Sequence, residues 1–451
     1  MASKHNEIDM LHGPLFMKIL LFALPLAASS VLQQLFNSVD VAVVGRFASS
    51  EALAAVGSNA PVINLLVNLF VGISMGANAI ISNHIGQNDR EKIRSAVSTS
   101  AVVALFSGIF LMILGTAVAG PVHRMMGTPV EVTKMAASYL RIYFLGMPFI
   151  MIFNFGSAIL RSLGDTRRPL YILIAAGIIN TVLNLVFVIV FHMGVEGVAI
   201  ATGISNLFSA VMVVRILLRE EDPYRLHPDK MRVQRDELSH MLEIGIPAGL
   251  QGVVFSISNV IIQASINSYG FNAVAGSAAA LNFEQYCYFV IAAFNGAAIS
   301  FVGQNYGAGN MDRVKRVFLI CMGLGVLSCV TLNWIFAGWS DFFLSLFTDS
   351  DAVKEFGTIR MHTALVLQGI ACLYEIPGSA LRGMGRSMLP TLLTVFGTCV
   401  LRIIWVYTVC PVWEGFHALM FVYPVSWTIT GVMVMTAWLI TFHKESRKAA
   451  S

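Results

Sequence analysis

The chain is 451 residues long, 56% hydrophobic and only 12% charged, with a formal net charge of +4. A mean hydropathy of +0.74 excludes a soluble globular domain, whose surface could not carry that composition. The basic excess gives no footing for nucleic-acid binding, because the lysines and arginines gather in short loops where membrane topology explains them.

Apolar stretches long enough to cross a ~30 Å hydrocarbon core recur at 15–44, 53–82, 95–120, 133–160, 170–192, 195–218, 242–268, 273–302, 314–338, 358–381, 390–411 and 417–442. Twelve spanning helices are therefore expected, and the fold class is all-α integral membrane. The first stretch continues unbroken to Val44 and is preceded by Glu7 and Asp9, so it reads as a span and not as a cleaved signal peptide.

That first span carries Pro25 and, fifteen residues on, Asp40. If it is helical, Gln33, Asn37 and Asp40 share one face. A carboxylate at membrane depth is unfavourable by roughly 3 kcal/mol on insertion scales, so it faces a bundle interior or wet cavity and marks an ion or substrate path. The alternative is a solvated place at the helix exit with Arg46 as partner. Pro25 removes one backbone donor and offers a point of bending.

Sorting Lys and Arg by alternate loops puts 22 of 29 on one side, from Lys4 and Lys18 through Arg382 to Lys444, Arg447 and Lys448; Arg46, Arg124, Lys134, Arg141, Lys354 and Arg360 fall on the other. The positive-inside rule then makes both termini of this multi-pass protein cytoplasmic. The polar stretch from Arg219 to His240 divides the spans six and six, and the expected organisation is a lobe at 1–220, a connector at 221–241 and a lobe at 242–451.

The halves are related. LRSLGDTRRP (160–169) matches LRGMGRSMLP (381–390) at an offset of 221, Gly86 and Lys92 meet Gly307 and Arg313 at the same offset, and Pro25 and Asn37 meet Pro247 and Asn259 at 222. A repeated six-span unit is how many transporters are built. The polar interiors differ: Asp40 faces Ile261 or Ile262, Asn180 faces Leu401, Asn184 faces Trp405 and Asn154 faces Glu375.

In the fifth span Asn180 and Asn184 stand one turn apart, and Thr202 in the sixth adds a hydroxyl. Beside Asp40 these oxygens are hard ligands suited to a proton or small cation such as Na+, although they would equally serve as an interhelical hydrogen-bond clamp. The second half has its own intramembrane charges, Glu284, Glu375 and Arg402. Arg402 requires an anion in apolar surroundings, and Glu375 or Glu284 is the expected partner. Phe36, Met147, Met151, Phe153, Tyr288 and Phe294 suit a greasy cavity able to receive flat cations.

Six cysteines lie in apolar segments of the second half without CxxC pairs and read as small buried hydrophobes. There is no Gly-Lys dipeptide, hence no GxxxxGK[ST] phosphate loop, and HExxH does not occur; GxSxG occurs once, at Gly72 to Gly76, inside an apolar spanning stretch and not at the strand-to-helix turn that a nucleophile elbow needs. Nucleotide-driven transport in cis and membrane-enzyme chemistry are both left without residues to carry them.

Across essentially the whole chain the pattern resembles the MATE family, the multidrug and toxic compound extrusion antiporters. The resemblance rests on Pro25 with the Asp40-VAVVGRF segment, GQNDREK, LRSLGDTRRP, FEQ in span eight, VGQNYGAGN and LRGMGRSMLP, and the FEQ and RIIW elements resemble the MepA branch of its DinF-like side. It implies twelve helices in two pseudo-symmetric six-helix lobes around a V-shaped cavity, and a monomer that exports small cationic or amphipathic substrates in exchange for H+ or Na+ without a cofactor. Carried over by position, Asp40, Asn180, Asn184 and Thr202 form the cation-coupling site. Gln33, Gln34, Asn37, Phe153, Asn154, Glu284, Tyr288, Glu375 and Arg402 line the substrate cavity, and Pro25 is the hinge. One departure is Asn184, often an aspartate in DinF-like relatives, which removes a charge from the site. Lipid and oligosaccharide flippases of the wider superfamily are the alternative, but Arg402 is the only cation expected within a span to meet a phosphate head group.

Overall fold

The structure is a computed structural model describing residues 7–125 and 130–450; Lys4, counted above on the basic side, lies outside them. Among the described residues the regular structure is helical. The first half comprises α1 (Leu15–Phe47), α2 (Ser50–Gly86), α3 (Arg90–Met125), α4 (Val130–Leu145), α5 (Met147–Ser162), α6 (Arg167–Leu185) and α7 (Gly194–Arg219). The second comprises α8 (Arg235–Asn267), α9 (Phe271–Gly307), α10 (Met311–Gly338), α11 (Ser340–Ser345), α12 (Asp351–Arg360), α13 (Cys372–Gly383), α14 (Met388–Thr394), α15 (Leu401–Thr408), α16 (Phe416–Met420) and α17 (Val422–Ala450).

Among the described residues eleven helical segments are long and apolar enough to cross a membrane, and α4 with α5, bent by 47°, makes twelve when the pair is counted as one broken span. The expected continuous span 133–160 thus breaks at Gly146. Pro148 in the first turn of α5 cannot donate into the preceding turn, and Gly108 of α3 lies so close to it that an added Cβ would stand 2.4 Å from Pro148 Cα.

The chain divides into two compact units: one holds residues through Asp9 and Ala28–Gly249, the other Met10–Ala27 and Leu250–Ser451. Helices α1 and α8 therefore each pass from one unit to the other, within three residues of Pro25 and Pro247 respectively.

In the first unit the opening half of α8 lies on α2 through a glycine seam. A Cβ on Gly72 would stand 2.3 Å from the Gly249 nitrogen, and one on Gly76 would stand 2.4 Å from the Met241 carbonyl oxygen. Two small-xxx-small faces meet here, Gly72/Gly76 with Gly245/Gly249, which lets backbones touch where lipid supplies no hydrophobic drive. His84 and Glu237 close the seam at 2.9 Å. The connector is ordered onto this unit: Ser98 Oγ donates to the Arg232 carbonyl at 3.0 Å and accepts the Arg232 amide at 2.8 Å.

The repeat seen in the sequence recurs in backbone detail. Gly164 and Gly385, equivalent at offset 221, both adopt positive φ (91° and 79°), as do Asn88 and Gly309 (55° and 71°), so each half turns through the same left-handed corner. Asp89 accepts the Lys92 amide and Asn310 the Arg313 amide, each at 3.1 Å, capping the following helix alike.

In the second unit Arg313 donates to the carbonyls of Met10 (3.1 Å), His12 (3.4 Å) and Gly13 (3.1 Å), tying down the chain ahead of α1. The six cysteines are free thiols; five are buried and Cys410 half-buried. Two arginines assigned to loops are interior residues: Arg360 is 3% and Arg382 7% exposed, because each caps a polar cluster described below.

Candidate functional site

The polar centre of the first unit is built where α1, α6 and α7 meet. Gly177 sets the approach of α6 to α1: the Phe36 ring occupies the space where a Cβ at that position would stand. One and two turns further along α6, Asn180 and Asn184 are buried, and Asp40 of α1 is only 9% exposed. Asn184 donates through one amide nitrogen to Asp40 Oδ1 and to Asn180 Oδ1, the latter at 3.2 Å. Asn180 donates to Thr202 Oγ1 at 3.3 Å, and Thr202 donates to the Val198 carbonyl at 2.9 Å. The four residues expected to act together are thus one hydrogen-bonded chain.

Two properties decide what this chain can do. First, every partner of Asp40 is neutral: among the described residues it has no ion pair, and Arg46 is exposed at the end of α1 without pairing to it. Second, Asn184 Oδ1 is buried and accepts nothing. An orphaned carbonyl oxygen beside a carboxylate is an unfilled ligand position for a proton-bearing group or a hard cation. Val43, Val44, Val188, Val195 and Val198, from the helices that carry the site or continue them, pack together in one buried apolar cluster.

Sequence reasoning missed Tyr139 and Tyr143 on α4. Their rings are stacked with centroids 6.1 Å apart, and both lie within reach of the Asp40 charge. Two tyrosines one turn apart in the fourth span were the available signal. It also missed Asn59 and His123, buried on α2 and α3 and joined at 3.0 Å, with Asn59 donating to the Ala136 carbonyl at 3.2 Å.

The remaining first-half residues are not one environment. Gln33 and Asn37 are exposed and Gln34 half-buried, while Asp40 of the same stripe is buried. Phe153 and Asn154 are half-buried, and Asn154 spends its amide on the Ile150 carbonyl at 3.0 Å. Pro25 lies within α1.

The second unit corrects the expected pairing of Arg402. Glu284 is taken by Arg360, whose Nε and Nη2 reach its two oxygens at 2.6 and 2.9 Å while Nη1 donates to Ser277 Oγ at 2.6 Å. Glu375 accepts from Asn295 at 2.7 Å, and Arg382 donates to Gln251 at 2.6 Å. Arg402 instead stacks over the Tyr423 ring, 4.7 Å from its centroid, and donates to Ser426 at 3.2 Å. Helical depth placed Arg402 away from Glu375, and the fork geometry of Arg360 satisfies both oxygens of Glu284, so a π face serves where an anion was expected. Tyr288 is partly exposed and lies within reach of Glu375 and Arg382.

A helical fold of up to twelve spans among the described residues, with Asp40 buried against neutral side chains, fits a membrane transporter. The MatE family model matches twice, at residues 25–186 and 247–408, two segments of equal length. A probable multidrug resistance protein of Bacillus subtilis (strain 168), YoeA, is 28% identical over 83% of this chain and 83% of its own. The multidrug export protein MepA of Staphylococcus aureus (strain MRSA252) is 22% identical over 95% of this chain and 94% of its own. A crystal structure of MATE in the bent conformation has the same fold, with a TM-score of 0.92 at 22% identity over 98% of this chain and 99% of the other. The chain belongs to the MatE family of membrane transporters and is not an enzyme.

Proposed function

We propose that this protein is a multidrug exporter that extrudes small cationic or amphipathic compounds in exchange for H+ or Na+, with Asp40 as the coupling carboxylate. The names of its relatives YoeA and MepA support the multidrug reading. The observation that carries the coupling is the buried run Asp40–Asn184–Asn180–Thr202, which contains a carboxylate without a cationic partner and an amide oxygen without a donor. Both are satisfied together when a proton or Na+ enters: the ion removes the uncompensated charge and redirects the Asn184 amide. That exchange alters how α6 holds the second half of α1, downstream of Pro25, and gives ion and drug one element to compete through. In this reading the protein is a monomer in a bacterial plasma membrane with both termini cytoplasmic. Residues 1–220 and 242–451 are its two six-span lobes, and 221–241 is the connector.

The test is efflux of a fluorescent cation from cells under separately imposed proton and sodium gradients. Asp40→Asn, which keeps the shape and removes the titration, is expected to abolish gradient-driven efflux while the purified protein melts like the parent. Efflux at the parental rate under the same gradient would make Asp40 a packing residue.

A further inference from the structure

The first unit carries a groove, lined by none of the Asp40-site residues, that the transport reading does not use. It has a volume of about 410 Å³ and runs between α5 and α7. Phe149 and Ile152 of α5 form one wall, Leu207, Val211 and Leu218 of α7 the other, and the end nearest the connector is closed by Arg215 and Arg219. We propose that it holds an acyl chain of an anionic glycerophospholipid whose phosphate is bound by Arg215 and Arg219.

The dimensions argue for lipid. From Leu207 to Arg219 α7 rises about 18 Å at 1.5 Å per residue, close to the ~15 Å of one leaflet of hydrocarbon. The groove therefore reaches from the membrane interface to the bilayer centre, the path of a single chain. It persists as a groove because α5 and α7 close on each other at Gly156, where an added Cβ would stand 2.7 Å from Val213 Cγ2, leaving the larger side chains to splay on either side.

The charges argue for an anionic head group. Arg215 and Arg219 lie one turn apart and both are exposed. Among the described residues neither has a hydrogen-bond or ion-pair partner. The adjacent carboxylate, Glu220, is turned inward and bound to Arg168 together with Asp165. Like charges at i and i+4 destabilise a helix unless an anion lies between them, and paired guanidiniums match a phosphate better than any other side chain. A transmembrane partner helix would fill the groove and leave both charges unanswered. Basic pockets between spanning helices at the interface are where acidic lipids are held.

The test uses the full chain in detergent, with thermal unfolding followed as phosphatidylglycerol or phosphatidylcholine of identical acyl composition is added. Phosphatidylglycerol is expected to stabilise the parent at the lower concentration. Each arginine near the surface contributes about fivefold to the affinity for an acidic head group, so R215Q/R219Q should bind phosphatidylglycerol about 25-fold more weakly with phosphatidylcholine unchanged. The charge-keeping pair R215K/R219K should retain the preference. Val211→Trp, filling the groove with both arginines intact, should weaken both lipids. Native mass spectrometry counts retained lipid for each variant independently of its melting point. The proposal fails if R215Q/R219Q retains phosphatidylglycerol like the parent. It also fails if Val211→Trp binds both lipids normally, or if inorganic phosphate alone reproduces the phosphatidylglycerol response.

Discussion

Two buried carboxylates, Asp40 in the first unit and Glu284 in the second, are held in opposite ways. In the first, Asp40 is hydrogen-bonded to a neutral amide and has no cation in ion-pair reach among the described residues. In the second, Glu284 is clamped by both arms of Arg360, with Ser277 and the Tyr423 ring completing the guanidinium's shell. A carboxylate locked by a bidentate arginine cannot exchange a proton or cation without stranding a buried positive charge, so Glu284 is a fixed strut. Asp40 has nothing to strand. The contrast is between these two carboxylates and not between the halves as wholes, because Glu375 of the second unit also accepts from a neutral amide, that of Asn295.

The sharpest way to break this comparison is Glu284→Gln. Removing one partner of a buried pair is destabilising by about 3–5 kcal/mol, so the variant should lose much of its resistance to thermal unfolding, and Glu284→Gln with Arg360→Met should regain part of it. A Glu284→Gln protein that melts with the parent would show that the second unit is not held by this pair.

Next in size is Arg402→Leu. Because Arg402 rests on Tyr423 and Ser426 and not on a carboxylate, its loss should lower stability by only about 2 kcal/mol, the worth of a desolvated cation–π contact. A loss as large as that of Glu284→Gln, measured in the same melts, would restore a carboxylate partner for Arg402.

Asn184→Asp replaces the amide that donates to Asp40 and Asn180 with a second buried carboxylate, so it should melt lower than the parent in sodium-free buffer, recover with sodium and move the ion dependence. It puts a second carboxylate beside Asp40 while the Asn180 and Thr202 oxygens remain, which favours a hard cation over a proton. Efflux under a sodium gradient should rise relative to efflux under a proton gradient; an unchanged ratio would separate position 184 from ion choice.

The smallest effect concerns Glu7, outside the spans. Partial burial and then the neighbouring Glu220 hold its carboxyl above the ordinary carboxylate range, against the opposing pull of Arg168. The folded state therefore keeps the proton to higher pH than the unfolded chain, and the penalty grows as pH rises from about 4.3 through the folded value. Glu7→Gln should melt slightly higher than the parent at neutral pH and identically well below pH 4.3. The reverse order would mean that Arg168 dominates at this site.

Much of this protein was legible before any coordinates. Hydropathy determined the spans because a continuous apolar run can cross lipid only as a helix that satisfies its own backbone, and the offset of 221 foretold the paired left-handed corners at Gly164 and Gly385. Asp40, Asn180, Asn184 and Thr202 could be grouped because helical periodicity is local and a carboxylate in hydrocarbon is conspicuous. Tertiary structure alone decided the partners. Arg360 and Arg382 sit near the ends of apolar stretches, where one turn separates a loop from the interior, and only packing shows them buried against Glu284 and Gln251. Arg402 was known to need compensation, but the sequence has no means of showing that the π face of a tyrosine twenty-one positions away would supply it. The glycines of α2 and α8 likewise read as ordinary small residues until their backbones are seen in contact. Periodicity and solvation act along the chain and are written in it, whereas pairing depends on which helices become neighbours, a choice made by the whole fold.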